Sequence, residues 1–268
     1  VLDYSVLVLG AGVCFVGGLL GGLSGAGTGL IVAAFLTPIV GAKAVMPALA
    51  IIMLINNGSR VFYYRQSVDL KISAIMIALA LPGTWFGTQL YMSLSVGTLE
   101  FILGAAILAV LAHRVVHRHR QTVVTSPGSH RESQIHASSS STVSLSFHRR
   151  WIGGPIALAY GFINSVVPGS GVMVLAFFSA IGMSASAVIA NDAVLSAALN
   201  LVKIALFRNL DGLPDSLILI SLLCGLATIP GVWFAKWLSG RMQQKTQQGL
   251  IELVIAASAL HLVVRALI

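Results

Sequence analysis

Charge is scarce in this sequence. Asp, Glu, Lys and Arg make up 9% of its 268 residues, against 57% hydrophobic ones. A soluble globule of that composition would lack the polar surface to cover its exterior, so an integral membrane protein is expected. Strand-like alternation is missing as well. Several apolar runs reach or approach the roughly 20 residues a helix needs to cross a bilayer, so helices rather than a barrel should span it. Cysteine is nearly absent: Cys14 and Cys224 lie in apolar stretches and read as packing residues, not as a disulfide or metal site. No HExxH, GxSxG, GxxxxGK(S/T) or CxxC motif occurs, which leaves no basis for an intramembrane protease, lipase, ATP-driven pump or redox enzyme. Neither an enzyme nor a cofactor is expected, and transport without an ATPase of its own remains.

The net charge of +8 does not make a nucleic-acid surface, because six of the sixteen basic residues sit in one linker and most others near expected helix ends. The first apolar segment lacks a basic leader and a convincing cleavage site, and is expected to be a retained helix.

Glycine is plentiful and unevenly placed. It is densest over Gly17 to Gly29, GGLLGGLSGAGTG, and an echo follows at Asn164 to Gly171, NSVVPGSG. Such runs inside apolar sequence are where a membrane helix can break, freeing backbone N–H groups at bilayer depth. The echo is part of a longer repeat. A slide of 142 lays Gly27-Thr28-Gly29 on Gly169-Ser170-Gly171; one of 143 lays Asn57 on Asn200, Arg60 on Lys203 and Arg65 on Arg208. A slide of 148 then lays Pro82-Gly83-Thr84-Trp85-Phe86 on Pro230-Gly231-Val232-Trp233-Phe234. Shifts that rise in order along the chain are what duplication with short insertions produces.

The expected fold is thus an all-α membrane protein of two homologous repeats, about five hydrophobic segments each: residues 1–112 and 151–268, joined by a basic, Ser- and His-rich linker at 113–150. In the first half the segments are Tyr4 to Leu23, a half-length run Leu30 to Val40, Ala44 to Tyr64, Leu70 to Tyr91 with a kink at Pro82, and Val96 to Ala112. The second half repeats them as Trp151 to Val166, Val172 to Ile181, Ala187 to Phe207, Ser216 to Trp237 and Thr246 to Leu267. The linker histidines are irregularly spaced and unaccompanied by Cys or acid, so a solvated linker is expected rather than a metal site. With the linker cytoplasmic, alternation puts Arg65 to Lys71 and Lys236 to Lys245 inside, and Met92 to Ser95 and Arg208 to Asp215 outside. That sidedness needs inverted repeats in a multi-pass inner (plasma) membrane protein.

Substrate-binding candidates follow from the breaks and from the intramembrane polar residues. Helices starting near Thr28 and Ser170 would aim free amides and positive dipole ends at an anion. The set at the first break is Ser24, Gly25, Gly27, Thr28 and Gly29; at the second it is Pro168, Gly169, Ser170 and Gly171, with Ser165 a further hydroxyl. Close helix packing by small residues is the alternative reading. Asp192, Ser196, Asn200 and Lys203 share one helix face, matched by Asn57 and Arg60 with Asn56 beside them. Arg60 and Lys203 either neutralise an anion or snorkel to headgroups, and Asp192 is either a proton or cation coupling group or half of a structural ion pair. Glu100 and Glu252 occupy unmatched positions and read as interfacial or structural, while Trp85 and Trp233 read as packing or anchoring residues.

This pattern resembles the sulfite exporter TauE/SafE family, also called the toluene sulfonate uptake permeases. The likeness rests on SGAGTG and a short apolar run, then AVMPALAIIMLINNGSRVFYYRQSVDL and PGTWFGTQL, repeated after the linker, and covers nearly the whole chain outside the linker. Family members usually read closer to S-G-x-x-G-x-G-G-G at the first motif and carry a small-hydroxyl triplet where Met46-Pro47-Ala48 stands here. The resemblance implies a plasma-membrane carrier of sulfite, organosulfonate or another small organic anion working by alternating access. The partners expected are that anion, a coupling proton or cation and the lipid bilayer, with no nucleic acid; a homodimer is left open. An anion channel and a non-transporting membrane scaffold are the competing functions.

Overall fold

The computed structural model describes residues 4–24, 28–99, 101–102 and 147–239, and every element it contains there is helical. Most of the linker, Gly25 and Gly27, Glu100, Glu252, the helix expected over Thr246 to Leu267, and Arg241 and Lys245 lie outside the described residues.

In the first half α1 is Tyr4–Ser24, α2 Thr28–Val40, α3 Ala42–Tyr64 and α4 Leu70–Ser93, with a 3-10 turn at Arg65–Ser67. In the second, α5 is Phe147–Val166, α6 Gly171–Ala180, α7 Ala185–Asn209 and α8 Asp215–Ser239. The helix after the linker starts at Phe147, inside the stretch that composition assigns to the linker. Local chemistry sets several boundaries. Asp69 caps α4 by accepting from the amides of Lys71 (3.0 Å) and Ile72 (3.1 Å), and Ser184 caps α7 through the Ala187 amide (3.3 Å). Gly182, at φ +88°, closes α6, with the Met183 amide donating back to Phe178 O. Pro82 does not end α4, which continues to Ser93.

Among the described residues four helical stretches are long and apolar enough to cross a membrane: Ala42–Ser67, Leu70–Ser93, Ser186–Asn209 and Asp215–Leu238. Val8–Leu23 and Thr28–Val40 are shorter apolar helices. The polarity runs outward from centre to surface in the reverse of a soluble protein. Leu79, Trp85 and Phe86 on α4 and Leu222, Leu226 and Trp233 on α8 are exposed, while Asn56, Arg60, Asp192, Asn200 and Lys203 are buried. Such an exterior suits lipid, and buried polar groups of this kind face partners or a wet cavity. Trp85 (47% exposed) and Trp233 (56%) accordingly sit on the outer face.

α3 packs on α7 at the centre, and each also packs on the other half's long helix, α3 on α8 and α7 on α4. At the flanks α1 packs on α8, and α4 on α5. These two crossings are closed by glycine. A Cβ on Gly231 would lie 2.2 Å from Phe15 O and one on Gly83 2.1 Å from Leu158 O, distances no side chain survives without parting the backbones. α3 and α7 run antiparallel. Arg60, near the end of α3, meets Asp192 near the start of α7, whereas Tyr91 donates to Ala42 O at the start of α3 and stacks edge-on against Phe207 near the end of α7. One end of the bundle holds the Arg65–Ser67 turn and Lys236, whose Nζ donates to Tyr63 O at 2.8 Å. The other brings Met92 beside Gly212.

Candidate functional site

The two interrupted regions meet. A Cβ on Gly29, the second residue of α2, would lie 3.4 Å from the amide nitrogen of Gly169, and one on Gly169 would strike Leu30 Cγ at 2.4 Å. Gly169 has φ +84°, a conformation that costs other residues dearly, and this lets the chain turn from α5 into α6 at that contact. The starts of α2 and α6 therefore converge, each with first-turn amides that have no acceptor within its own helix.

Between them and the central helices lies a cavity of about 70 Å³, room for roughly five waters or one small polyatomic anion. Its lining comes from both halves. Thr28 and Gly29 stand at the start of α2, and Pro168, Gly169 and Gly171 at the turn into α6. α3 supplies Met46, Leu49, Met53, Asn56, Asn57 and Arg60; α7 supplies Asp192, Ser196, Asn200 and Lys203; α5 adds Tyr160 and Asn164.

The charged groups are inside the protein, not at its rim. Arg60 and Lys203 are each 3% exposed and Asp192 2%, so neither cation snorkels. Arg60 Nη2 pairs with Asp192 Oδ2 at 3.1 Å and reaches Ile189 O at 3.4 Å, while Nη1 donates to Asn57 Oδ1 at 2.9 Å. α7 crosses α3 there and covers the guanidinium, which is why proximity to the end of α3 does not release it. Lys203 Nζ donates to Asn164 O at 3.1 Å and, among the described residues, is in no ion pair. Two cations and one carboxylate leave the cavity with a single excess positive charge.

Polar atoms without partners collect in the same place. Among the described residues the buried side-chain atoms with no hydrogen bond are Asn56 Oδ1, Arg60 Nε, Asn164 Nδ2 and Asn200 Oδ1, and all four residues line the cavity. Buried polar groups are nearly always paired, so their concentration around one space makes it the candidate site for a polar ligand. The hydroxyls expected to serve there are otherwise engaged. Thr28 Oγ1 donates to Gly17 O (2.8 Å), Ser165 Oγ to Gly161 O (3.0 Å) and Ser170 Oγ to Asn164 Oδ1 (3.2 Å). Ser165 and Ser170 are not among the lining residues, and the side chain of Ser24 lies outside what is described. The backbone of the two helix starts and the side chains of Asn, Arg and Lys line the space, with Thr28, Tyr160 and Ser196 as the hydroxyl residues among them. Tyr160 was missed from sequence; its OH is 2.9 Å from Ser196 Oγ, which lies 3.5 Å from Asp192 Oδ1. No cluster of metal-ligating side chains occurs among the described residues.

The model of one protein family, sulfite exporter TauE/SafE, matches residues 10–262. The chain belongs to that family. The TauE/SafE match covers both helix starts, the cavity and the linker between the halves, and membership implies membrane transport of sulfite or a related anion. No curated protein and no solved structure matches the chain.

Proposed function

We propose that this TauE/SafE member is a secondary carrier that binds a small anion, sulfite or an organosulfonate by family, between two inverted repeats and moves it by alternating access without ATP hydrolysis. The observation that carries the reading is the convergence of two helix starts and two buried cations on one cavity. Helix N-termini and oriented amides favour negative charge, and a discontinuous pair of helices at a repeat interface is where secondary carriers hold an anionic substrate.

The repeat reading is supported by contacts that exchange under the sequence offsets. Gly231 approaches Phe15 O and Leu19 N, and Gly83 approaches Leu158 O and Phe162 N; a shift of 143 carries Phe15 and Leu19 onto Leu158 and Phe162. Gly18 against Thr228 O is likewise matched by Gly161 against Ala80 O. Antiparallel α3 and α7, equivalent helices under that shift, favour the inverted arrangement. The common end of the 3-10 turn and Lys236 would then be cytoplasmic, with the Met92 and Gly212 end outside. Asp192, the carboxylate of the cavity, is the candidate coupling group for a proton or cation.

Counterflow in proteoliposomes tests the carrier reading. Labelled sulfite should enter faster into vesicles preloaded with unlabelled sulfite than into empty ones. Uptake indifferent to preloading would favour a channel, and no uptake of any small anion would contradict transport altogether.

A further inference from the structure

The central helices present the same four register positions to the cavity, related by the shift of 143: Leu49 with Asp192, Met53 with Ser196, Asn57 with Asn200 and Arg60 with Lys203. Chemistry is kept at the last two and differs at the first two. Arg60 has a carboxylate 3.1 Å away in Asp192. The counterpart of that pair is Lys203 with Leu49, so a leucine stands where the balancing acid would be. Lys203 is as buried as Arg60, at 3% exposure, yet its one hydrogen bond among the described residues goes to the neutral carbonyl of Asn164. A buried ammonium without a counter-charge is costly, and the missing charge is what an anion brings. Two of the unpartnered polar atoms are beside it: Asn164 Nδ2, on the residue whose carbonyl accepts from Lys203, and Asn200 Oδ1, one turn earlier on α7.

We propose that the transported anion takes at Lys203 the place that Asp192 takes at Arg60, and that the site thereby selects monovalent anions. This rests on the transport reading above. One negative charge neutralises the excess positive charge of the side chains; a second would have only the partial charges of the two helix starts to offset it, in a medium where uncompensated charge is expensive. The wall that α3 contributes from Met46 through Leu49 to Met53 carries no side-chain donor, so a second charge would be set against aliphatic and thioether groups. Leu49 is the specificity residue, because an acid there would satisfy Lys203 from within.

The test is thermal stabilisation of the purified full chain by acetate, nitrate, methanesulfonate and hydrogen sulfite as monoanions, and by sulfate and malonate as dianions. In the parent at least one monoanion should bind about tenfold or more tightly than either dianion. Leu49→Asp should weaken that monoanion about tenfold or more and Leu49→Asn by clearly less, and the exchange Leu49→Asp with Asp192→Leu should restore binding by freeing Arg60 in place of Lys203. A folded Leu49→Asp protein that binds as the parent does overturns the inference, as does an equal loss in Leu49→Asn. Should Leu49→Asp fail to fold, the parent alone decides: dianions binding as tightly as the best monoanion overturn it. Binding of no anion by the parent would overturn the transport reading and this inference with it.

Discussion

Replacing Asp192 by Asn removes the carboxylate that Arg60 contacts at 3.1 Å, with both side chains at or below 4% exposure. At an effective dielectric of about 20, unit charges this close attract by about 5 kcal/mol. Loss of one partner of a buried pair costs about 3–5 kcal/mol, because the survivor stays buried without its counter-charge. Asn keeps an acceptor for Arg60 Nη2, so about 3 kcal/mol is expected, and about the same for Arg60→Gln. The double variant Arg60→Gln with Asp192→Asn strands no charge and should be destabilised by far less than the sum, a coupling of at least about 2 kcal/mol. Denaturant unfolding in detergent micelles, followed by helix content, measures all four proteins. Additive losses would refute the pairing as a source of stability. The same proteins separate structure from coupling. If Asp192 carries the coupling proton, the double variant regains its fold and exchanges labelled sulfite but does not accumulate it against a gradient, whereas recovery of uphill transport would reduce Asp192 to a structural partner.

Gly169→Val should weaken anion binding and destabilise the protein, because φ is +84° and Leu30 already occupies the space; Gly182→Ala, at φ +88° with nothing within 4 Å, should cost only about 1–2 kcal/mol and leave binding intact. Equal effects on binding would detach the contact between the breaks from the site. Gly161→Ala places a Cβ 2.1 Å from Ala80 O and should force α4 from α5, whereas Gly154→Ala on the same helix meets nothing and should be neutral or stabilising by up to about 1 kcal/mol in thermal unfolding. Cysteines at exposed Gln66 and Ser216 should react with a membrane-impermeant thiol reagent from opposite faces of the membrane; labelling from one face would remove the inverted arrangement.

Much of this was legible because a membrane chain has few polar residues and each buried one is costly. Asn57, Arg60, Asp192, Asn200 and Lys203 could be gathered onto two helix faces from spacing alone, and the structure brings those faces to one cavity. The helix starts at Thr28 and Gly171 fall within a residue of where the glycine runs placed them. What failed depended on tertiary neighbours. A hydroxyl's acceptor is decided by whatever crosses it, and Thr28 finds Gly17 O on the preceding helix, α1. The burial of Arg60 follows from α7 crossing over it, which nothing within α3 announces. Tyr160 and Asn164 read as ordinary positions of a membrane helix until α5 is seen to lean on the cavity, although Asn164 belongs to the repeated glycine motif and could have been noticed there. The difference between Leu49 and Asp192 was written in the repeat, but carried no meaning until both were known to line one space.

The most direct test of the account is a structure of the protein with selenite, a heavier analogue of sulfite whose selenium can be located by anomalous scattering. One selenium is expected between the starts of α2 and α6, within contact of Lys203 Nζ and the backbone at Gly29 and Gly169. Selenium bound elsewhere, with this cavity unoccupied at a concentration that saturates binding, would contradict it.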